Sequence, residues 1–369
     1  MFTKVTNYIN KLIEEKKLPL LDFMVYKNHE LLYRHSGSYS GNFGKDELLC
    51  MFSCTKVLTA VSGMRLVEEG KIDLDAPVSN YIPEFANAYT LDGDGNKHTE
   101  TITVRNLFTM STGFDYKITI PEIVKLANEK YDTATTTDVI REILKNPLHF
   151  TPGSNFLYSL SHDALGALIE TVEGMTLAEY MEKNIFEPLG MKNSTMRHTL
   201  YRDNPPTNHD ILDDLSFVAE RGNSYKHFHP TKNYASGGAG LISTTEDLAL
   251  FADALASGGK TKNGYSLLKP ESIEKMKESH FHALNVDNNY TCVQGTDYGY
   301  GLGVRVRTSP LECGIPVGEF GWDGAAGSYI LVDTDNGISI AMGMNILNWP
   351  KVFRGEHTEI AKLIYEDLI

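Results

Sequence analysis

A chain of 369 residues with 41% hydrophobic and 22% charged side chains has the apolar material for a large core, in one domain or two. Its net charge of −14, without blocks of Lys or Arg, excludes the basic footprint of a nucleic-acid binder and disfavours anionic lipid surfaces. No run approaches the roughly 18 apolar residues of a membrane span. The stretch from Met1 to Asn10 has no charged segment followed by an apolar core, so no export signal is read there. Cys50, Cys54, Cys292 and Cys313 show no C-x-x-C spacing and read as free thiols in a reducing, cytoplasmic compartment.

In chain order, residues 3–17 form an amphipathic helix with Val5, Tyr8, Ile9 and Leu12 on one side. Leu20–Val25 and Glu30–Tyr33 read as strands joined by a hairpin at Tyr26-Lys27-Asn28-His29. A buried helix follows, opening at Phe52-Ser53-Cys54-Thr55-Lys56 and running through Met64 and Leu66 to Gly70. Ser53 and Lys56 stand three apart, so they share a helix face. A serine is a weak nucleophile until a nearby group takes its proton. A desolvated lysine can do so, and a helix N-terminus favours the negative charge that develops. A bare S-x-x-K also fits an N-cap serine beside an exposed lysine. Cys54 lies about 100° around the helix from Ser53 and should face elsewhere.

Leu91-Asp92-Gly93-Asp94-Gly95-Asn96 invites a calcium reading, which fails because Lys97 and Thr103 occupy the glycine and glutamate positions of such a loop. A turn between short strands fits better. Ile102–Thr109 opens a helix stopped at Ser111-Thr112-Gly113, and Pro121–Lys130, Thr137–Lys145, His162–Glu173 and Leu177–Phe186 are further helices. Tyr158 sits between the turn Thr151-Pro152-Gly153 and the helix from His162. There its phenol can reach a cleft as a general base, or simply pack.

After Gly190 the chain is irregular up to the glycine-rich stretch Tyr234–Leu241, which lacks either phosphate-binding glycine pattern. Ser243-Thr244-Thr245-Glu246-Asp247 is a helix start. Tyr300–Val306, Phe320–Gly321, Ser328–Val332 and Ile338–Asn345 read as antiparallel strands, with a hairpin at Asp333–Gly337, and His357–Leu368 as a closing amphipathic helix. The small residues of Glu319–Ser328 leave room for backbone amides to meet an oxyanion. Strands near both ends and helices between them imply an α/β (α+β) fold. One antiparallel sheet, flanked by terminal helices, is built from residues 1–75 and 225–369. A mostly helical domain, 76–224, is inserted, with the active site between the two.

His227 with His229, and His280 with His282, could each pair on a strand face, but neither has an acidic or cysteine partner at metal-site spacing. His162-Asp163 suggests a Ser-His-Asp triad, yet no G-x-S-x-G elbow exists. No metal or cofactor is expected.

Three segments in this order carry a resemblance over nearly the whole chain. They are Ser53-Cys54-Thr55-Lys56; Tyr158-Ser159-Leu160 with Asp163 and Leu165-Gly166; and Trp322-Asp323-Gly324-Ala325-Ala326-Gly327. With Gly237–Thr244, the Asp92–Thr103 hairpin and Leu107–Gly113, they make the chain similar to the serine β-lactamase/penicillin-binding protein-like superfamily. It looks most like the family VIII (EstB-like) carboxylesterases. The resemblance implies Ser53 as nucleophile, Lys56 and Tyr158 as the proton-transfer pair, and the amides of Ser53 and Ala325 as oxyanion hole. Leu160, Trp322, Asp323 and Gly324 would meet the substrate. Leu160 stands where similar lactamases carry asparagine, and Trp322-Asp323 where they carry lysine or histidine. Both departures point to a neutral ester, with Asp323 repelling substrate carboxylates if it faces the cleft. The implied reaction is ester hydrolysis through an acyl-serine. β-Lactamase, D-amino-acid peptidase, acyltransferase or a non-turnover covalent penicillin-binding protein are the alternatives. The partner is a small ester or amide, not nucleic acid or membrane.

Overall fold

Alternating apolar residues in the segments near both ends build one sheet with two buried faces. The structure is a computed structural model, and it describes residues 2–41, 47–201, 203–211, 217–220, 229–280, 285–286, 297–312, 314–347, 349 and 352–368. The sheet strands are β1 (Leu21–Lys27), β2 (Glu30–Gly37), β3 (Tyr298–Tyr300), β4 (Arg305–Arg307), β5 (Phe320–Asp323), β6 (Tyr329–Asp333) and β7 (Ile338–Met344). Their order is β3-β4-β5-β6-β7-β1-β2, each neighbour antiparallel. The helices that matter most are α1 (Thr3–Lys16), α2 (Thr55–Glu68), α3 (Ser161–Glu173), α4 (Thr245–Ala256) and α5 (His357–Leu368).

Period-two alternation divides the side chains between the faces. Leu21, Phe23 and Val25 of β1, Leu331 of β6, and Ile338 and Ile340 of β7 join Val5 and Ile9 of α1 and Ile360 and Ile364 of α5. Met24, Ile330, Val332 and Ala341 face the other way, against Leu248 and Phe251 of α4. That second core is continuous with Val57, Leu58 and Val61 of α2 and with Leu165 and Leu168 of α3. The serine helix is thus buried on nearly all sides, and truncating such a residue as Leu58 to Ala would cost about 2–5 kcal/mol.

Local chemistry accounts for the turns. Asn28 and His29, at φ of 49° and 68°, make a left-handed two-residue turn between β1 and β2. Asp92 accepts from the amides of Asp94 (2.9 Å) and Asn96 (2.8 Å), so it closes its own turn rather than waiting for calcium. That turn joins the short paired strands Tyr89–Leu91 and Lys97–Thr99, as expected.

Two strand expectations need correction. Tyr300–Val306 is not one strand: Gly301 donates to the Val304 carbonyl at 2.8 Å, turning β3 into β4. Gly303, at φ 83°, makes this possible, and a Cβ there would lie 2.5 Å from the Ala60 Cβ on α2. β5 extends to Asp323, two residues beyond the expected end at Gly321. Cys292, Cys313, His227 and His282 lie outside the described residues. Cys50 and Cys54 are buried. Among the described residues no helix is long and apolar enough to cross a membrane.

Within the sheet, Arg305 of β4 donates to Asp323 (2.8 Å) and Glu319 (3.1 Å), with all three side chains buried. Breaking such a pair leaves a charge uncompensated, at about 3–5 kcal/mol. Glu319 still faces Arg305 when Asp323 is gone, so Asp323→Ala should lower the unfolding free energy by about 3 kcal/mol. Urea unfolding followed by circular dichroism checks this.

Candidate active site

Ser53 lies in a single 3-10 turn, Phe52–Cys54, that leads directly into α2. The helix proper starts at Thr55, yet the turn keeps Ser53 and Lys56 on one face. Phe52 has φ 42°, a left-handed conformation for a large side chain, placed one residue before the serine. Lys56 is fully buried, and its Nζ donates to Ser53 Oγ (3.3 Å), the Gly238 carbonyl (2.7 Å) and Tyr116 Oη (3.0 Å). Tyr158 Oη donates to the same Ser53 Oγ at 2.6 Å, and Lys56 Nζ sits 4.4 Å from the Tyr158 ring centroid. The structure therefore brings Ser53, Lys56 and Tyr158 together.

Aromatic stacking fixes the tyrosine. Tyr158 is sandwiched between Tyr116 (centroids 5.4 Å, 22°) and Trp322 (5.8 Å, 18°), and Tyr300 meets Trp322 edge-on at 5.2 Å. Burial pushes the Tyr116 phenol well above its ordinary range, and its contacts with Tyr158 add to this. Tyr116 is therefore a neutral phenol at the lysine. The sequence reading missed it, because only the fold brings this loop tyrosine to Lys56; its position just after Gly113-Phe114-Asp115 was the one signal.

The glycine-rich segment proves to be the lysine's cradle. Asp163, in the first turn of α3, accepts from Tyr234 Oη and Ser236 Oγ, both at 2.6 Å, and burial pushes its carboxyl up. A Cβ on Gly238 would lie 2.6 Å from Asp163 Oδ2 and 3.2 Å from Lys56 Nζ. Only glycine leaves room for the lysine and the carboxylate together.

Ala325 is the exposed member of the β5–β6 connection, which closes on itself through Gly324 N–H to the Ser328 carbonyl and Gly327 N–H to the Gly324 carbonyl, both 2.8 Å. Ser328 Oγ ties this turn to the Met51 carbonyl at 2.7 Å, two residues before Ser53. Among the described residues, no backbone hydrogen bond from the Ser53 or Ala325 amide reaches outside their own helix or strand.

The other sequence-predicted contacts fare differently. Leu160 is 1% exposed in the apolar core, at the start of α3, and does not reach the cleft. Asp323 is also misassigned: β5 continues through it, so its side chain alternates away from Trp322 into the pair with Arg305. Trp322 is fully buried and backs Tyr158. Gly324 serves close approach, since a Cβ there would lie 2.4 Å from the Met51 carbonyl.

Two rival nucleophile arrangements fail on geometry. The Cys54 Sγ donates to the Trp322 carbonyl at 3.6 Å, and burial pushes its thiol up to about 12, away from thiolate chemistry. His162 packs against the Phe108 carbonyl at 3.2 Å, and burial pushes it down to about 3, so it stays neutral. Among the described residues no group of three or more His, Cys, Asp or Glu side chains could hold a metal.

The fold and this serine-centred cluster are those of a serine hydrolase. The family described as Beta-lactamase matches residues 5–364, and the chain belongs to that family. Esterase EstB of Burkholderia gladioli is 26% identical over 364 residues, covering 90% of this chain and 87% of that protein. Lovastatin esterase of Penicillium rubens is 30% identical over 255 residues, 64% of this chain and 60% of that protein. Among solved structures, EstCE1, "a hydrolase with promiscuous acyltransferase activity", superposes with a TM-score of 0.78 at 22% identity, covering 98% of this chain and 97% of that one, which speaks to the fold.

Tyr116→Phe keeps the ring stack and removes one of three acceptors at Lys56. A lost hydrogen bond to a charged group is worth about 1.5–3 kcal/mol, so kcat/KM for a chromogenic ester should fall roughly 10- to 100-fold. The same bond is lost on unfolding, so the melting temperature should also fall by about 2–4 °C.

Proposed function

We propose that the protein is a serine carboxylesterase that works through an acyl-enzyme. The observation that carries this reading is the convergence of Tyr158 Oη (2.6 Å) and Lys56 Nζ (3.3 Å) on Ser53 Oγ. In the reactive state the Tyr158–Lys56 pair carries one proton fewer than ammonium plus phenol, and it takes the Ser53 proton as Ser53 attacks the ester carbonyl. The oxyanion is received by the amides of Ser53 and Ala325. The alcohol leaves with the proton returned by the same pair. Water then attacks the acyl-serine, losing its proton to the pair, and the carboxylic acid and free Ser53 result.

The third motif supplies an aromatic wall, Trp322, behind Tyr158 rather than a cation, and this supports neutral esters over carboxylate-bearing lactams. The name of a further relative, acyltransferase calJ of Penicillium decumbens (29% identical over 313 residues), supports a second fate for the acyl-serine, capture by an alcohol instead of water. We take residues 1–75 with 225–369 and residues 76–224 as two lobes. Ser53 and Ala325 come from the first and Tyr158 from the second, in keeping with a site between them. The buried thiols of Cys50 and Cys54 fit a reducing setting such as the cytoplasm.

The test is a fluorophosphonate probe followed by peptide mapping, with turnover of an aryl butyrate. Ser53 should carry the label, and Ser53→Ala should lose both labelling and turnover. Lys56→Ala and Tyr158→Phe should each slow acylation by a large factor, and the double variant far less than the product of the two. Label on Cys54, or additive losses in log rate, would overturn the assignment. Added alcohol that diverts acyl groups into a new ester would establish the second fate.

A further inference from the structure

The oxyanion turn is held from behind by a residue outside every recognised motif. His357 opens α5 and is 1% exposed. Its Nδ1 lies 2.7 Å from Asp323 Oδ1 and its Nε2 lies 3.0 Å from the Gly327 carbonyl. The carbonyl can only accept. Asp323 accepts from Arg305 through its other oxygen, and although burial alone would raise it, Arg305 and His357 hold its carboxyl below the ordinary range. An ionised carboxylate also only accepts. A neutral imidazole has one N–H and could serve one of these partners; serving both takes the doubly protonated ring.

The ring shares its neighbours with a buried charge cluster, in which the Arg305 guanidinium lies 4.7 Å from the Tyr329 ring centroid. The ring lies against Tyr329 (4.6 Å between centroids), and the charges near it are Asp323 and, behind that, Arg305 with Glu319. Glu356, the preceding residue, is turned to the Tyr8 hydroxyl at 2.5 Å. The two partners of His357 flank the turn: Asp323 ends β5, Gly327 follows two residues after Ala325, and the Ala326 carbonyl between them accepts from the Ile346 amide at 3.0 Å.

We propose that His357, as an imidazolium, is a positioning residue for the oxyanion hole: its two N–H groups tie the Asp323 carboxylate to the Gly327 carbonyl and so aim the Ala325 amide at the reacting carbonyl. The inference rests on the reading of Ala325 as an oxyanion donor. Misplacing a reacting group by about 1 Å costs on the order of a hundredfold, which bounds the expected effect.

The experiment joins spectroscopy to kinetics. In protein labelled with 15N at histidine, the ring signals that vanish in His357→Gln should show both nitrogens protonated at pH 7; a single neutral tautomer would overturn the proposal. In ester turnover, His357→Leu should lose roughly 10- to 100-fold in kcat with KM within about twofold, and a boronate transition-state analogue should weaken in parallel. His357→Gln, whose amide can still donate to Gly327, should recover most of kcat. A folded Leu variant with full kcat, or Leu and Gln variants equally impaired, would sink it. Ala325→Pro removes the amide itself. An active proline variant would refute the oxyanion reading, while the histidine spectra would still report on the clamp.

Discussion

A lysine with no exposed surface is the constraint from which the site follows. Burying an ammonium group is costly unless its donors are all met. Lys56 meets three oxygens: a serine hydroxyl, a phenol and a backbone carbonyl. Each comes from a different part of the chain, so the lysine joins α2, the loop after Gly113 and the glycine-rich segment. Asp163 in turn braces that segment through Tyr234 and Ser236. Ser53, the proposed nucleophile, is one of the oxygens that meets the lysine's burial.

The sheet and the aromatic stack supply precision. Tyr158 is confined between two rings, so its phenol has little freedom except to point at Ser53. Glycines do the corresponding work for the backbone. Gly238 lets a carbonyl approach the lysine, Gly324 lets β5 press on the Met51 carbonyl, and Gly303 lets the β3–β4 turn rest on α2. None of these residues touches the ester, yet each sets how closely two reacting parts can come.

What the sequence made legible was local. S-x-x-K could be read because three residues on one helical turn are neighbours whatever the rest of the chain does. The strands β1, β6 and β7 were also legible, since short apolar, β-branched runs bounded by turn residues are written into consecutive positions. Asp323 was misread because an error of two residues at the end of β5 hid the alternation that turns every second side chain to the far face. Leu160 was misread because an apolar residue before a helix looks the same in a cleft or in a core. Tyr116 had only its place after Gly113-Phe114-Asp115 to mark it, and His357 had nothing: their partners lie in distant segments and no spacing rule links them. Apart from the oxyanion amides, the chemical core was near in sequence or in motif, and its support was tertiary.

The pairing of β1 with β7 has a consequence for synthesis. Val25 stands opposite Ile340, roughly 300 residues away, and β7 lies between β1 and the rest of the sheet. During translation at about 5–20 residues per second, the first hairpin must wait tens of seconds for the strand that completes its ladder. Its β1 edge is an open template for that time, and the serine helix has already emerged without the turn that faces it. The turn between β5 and β6 therefore meets the serine helix late, and a nascent chain halted before β5 carries Ser53, Lys56 and Tyr158 without the Ala325 amide.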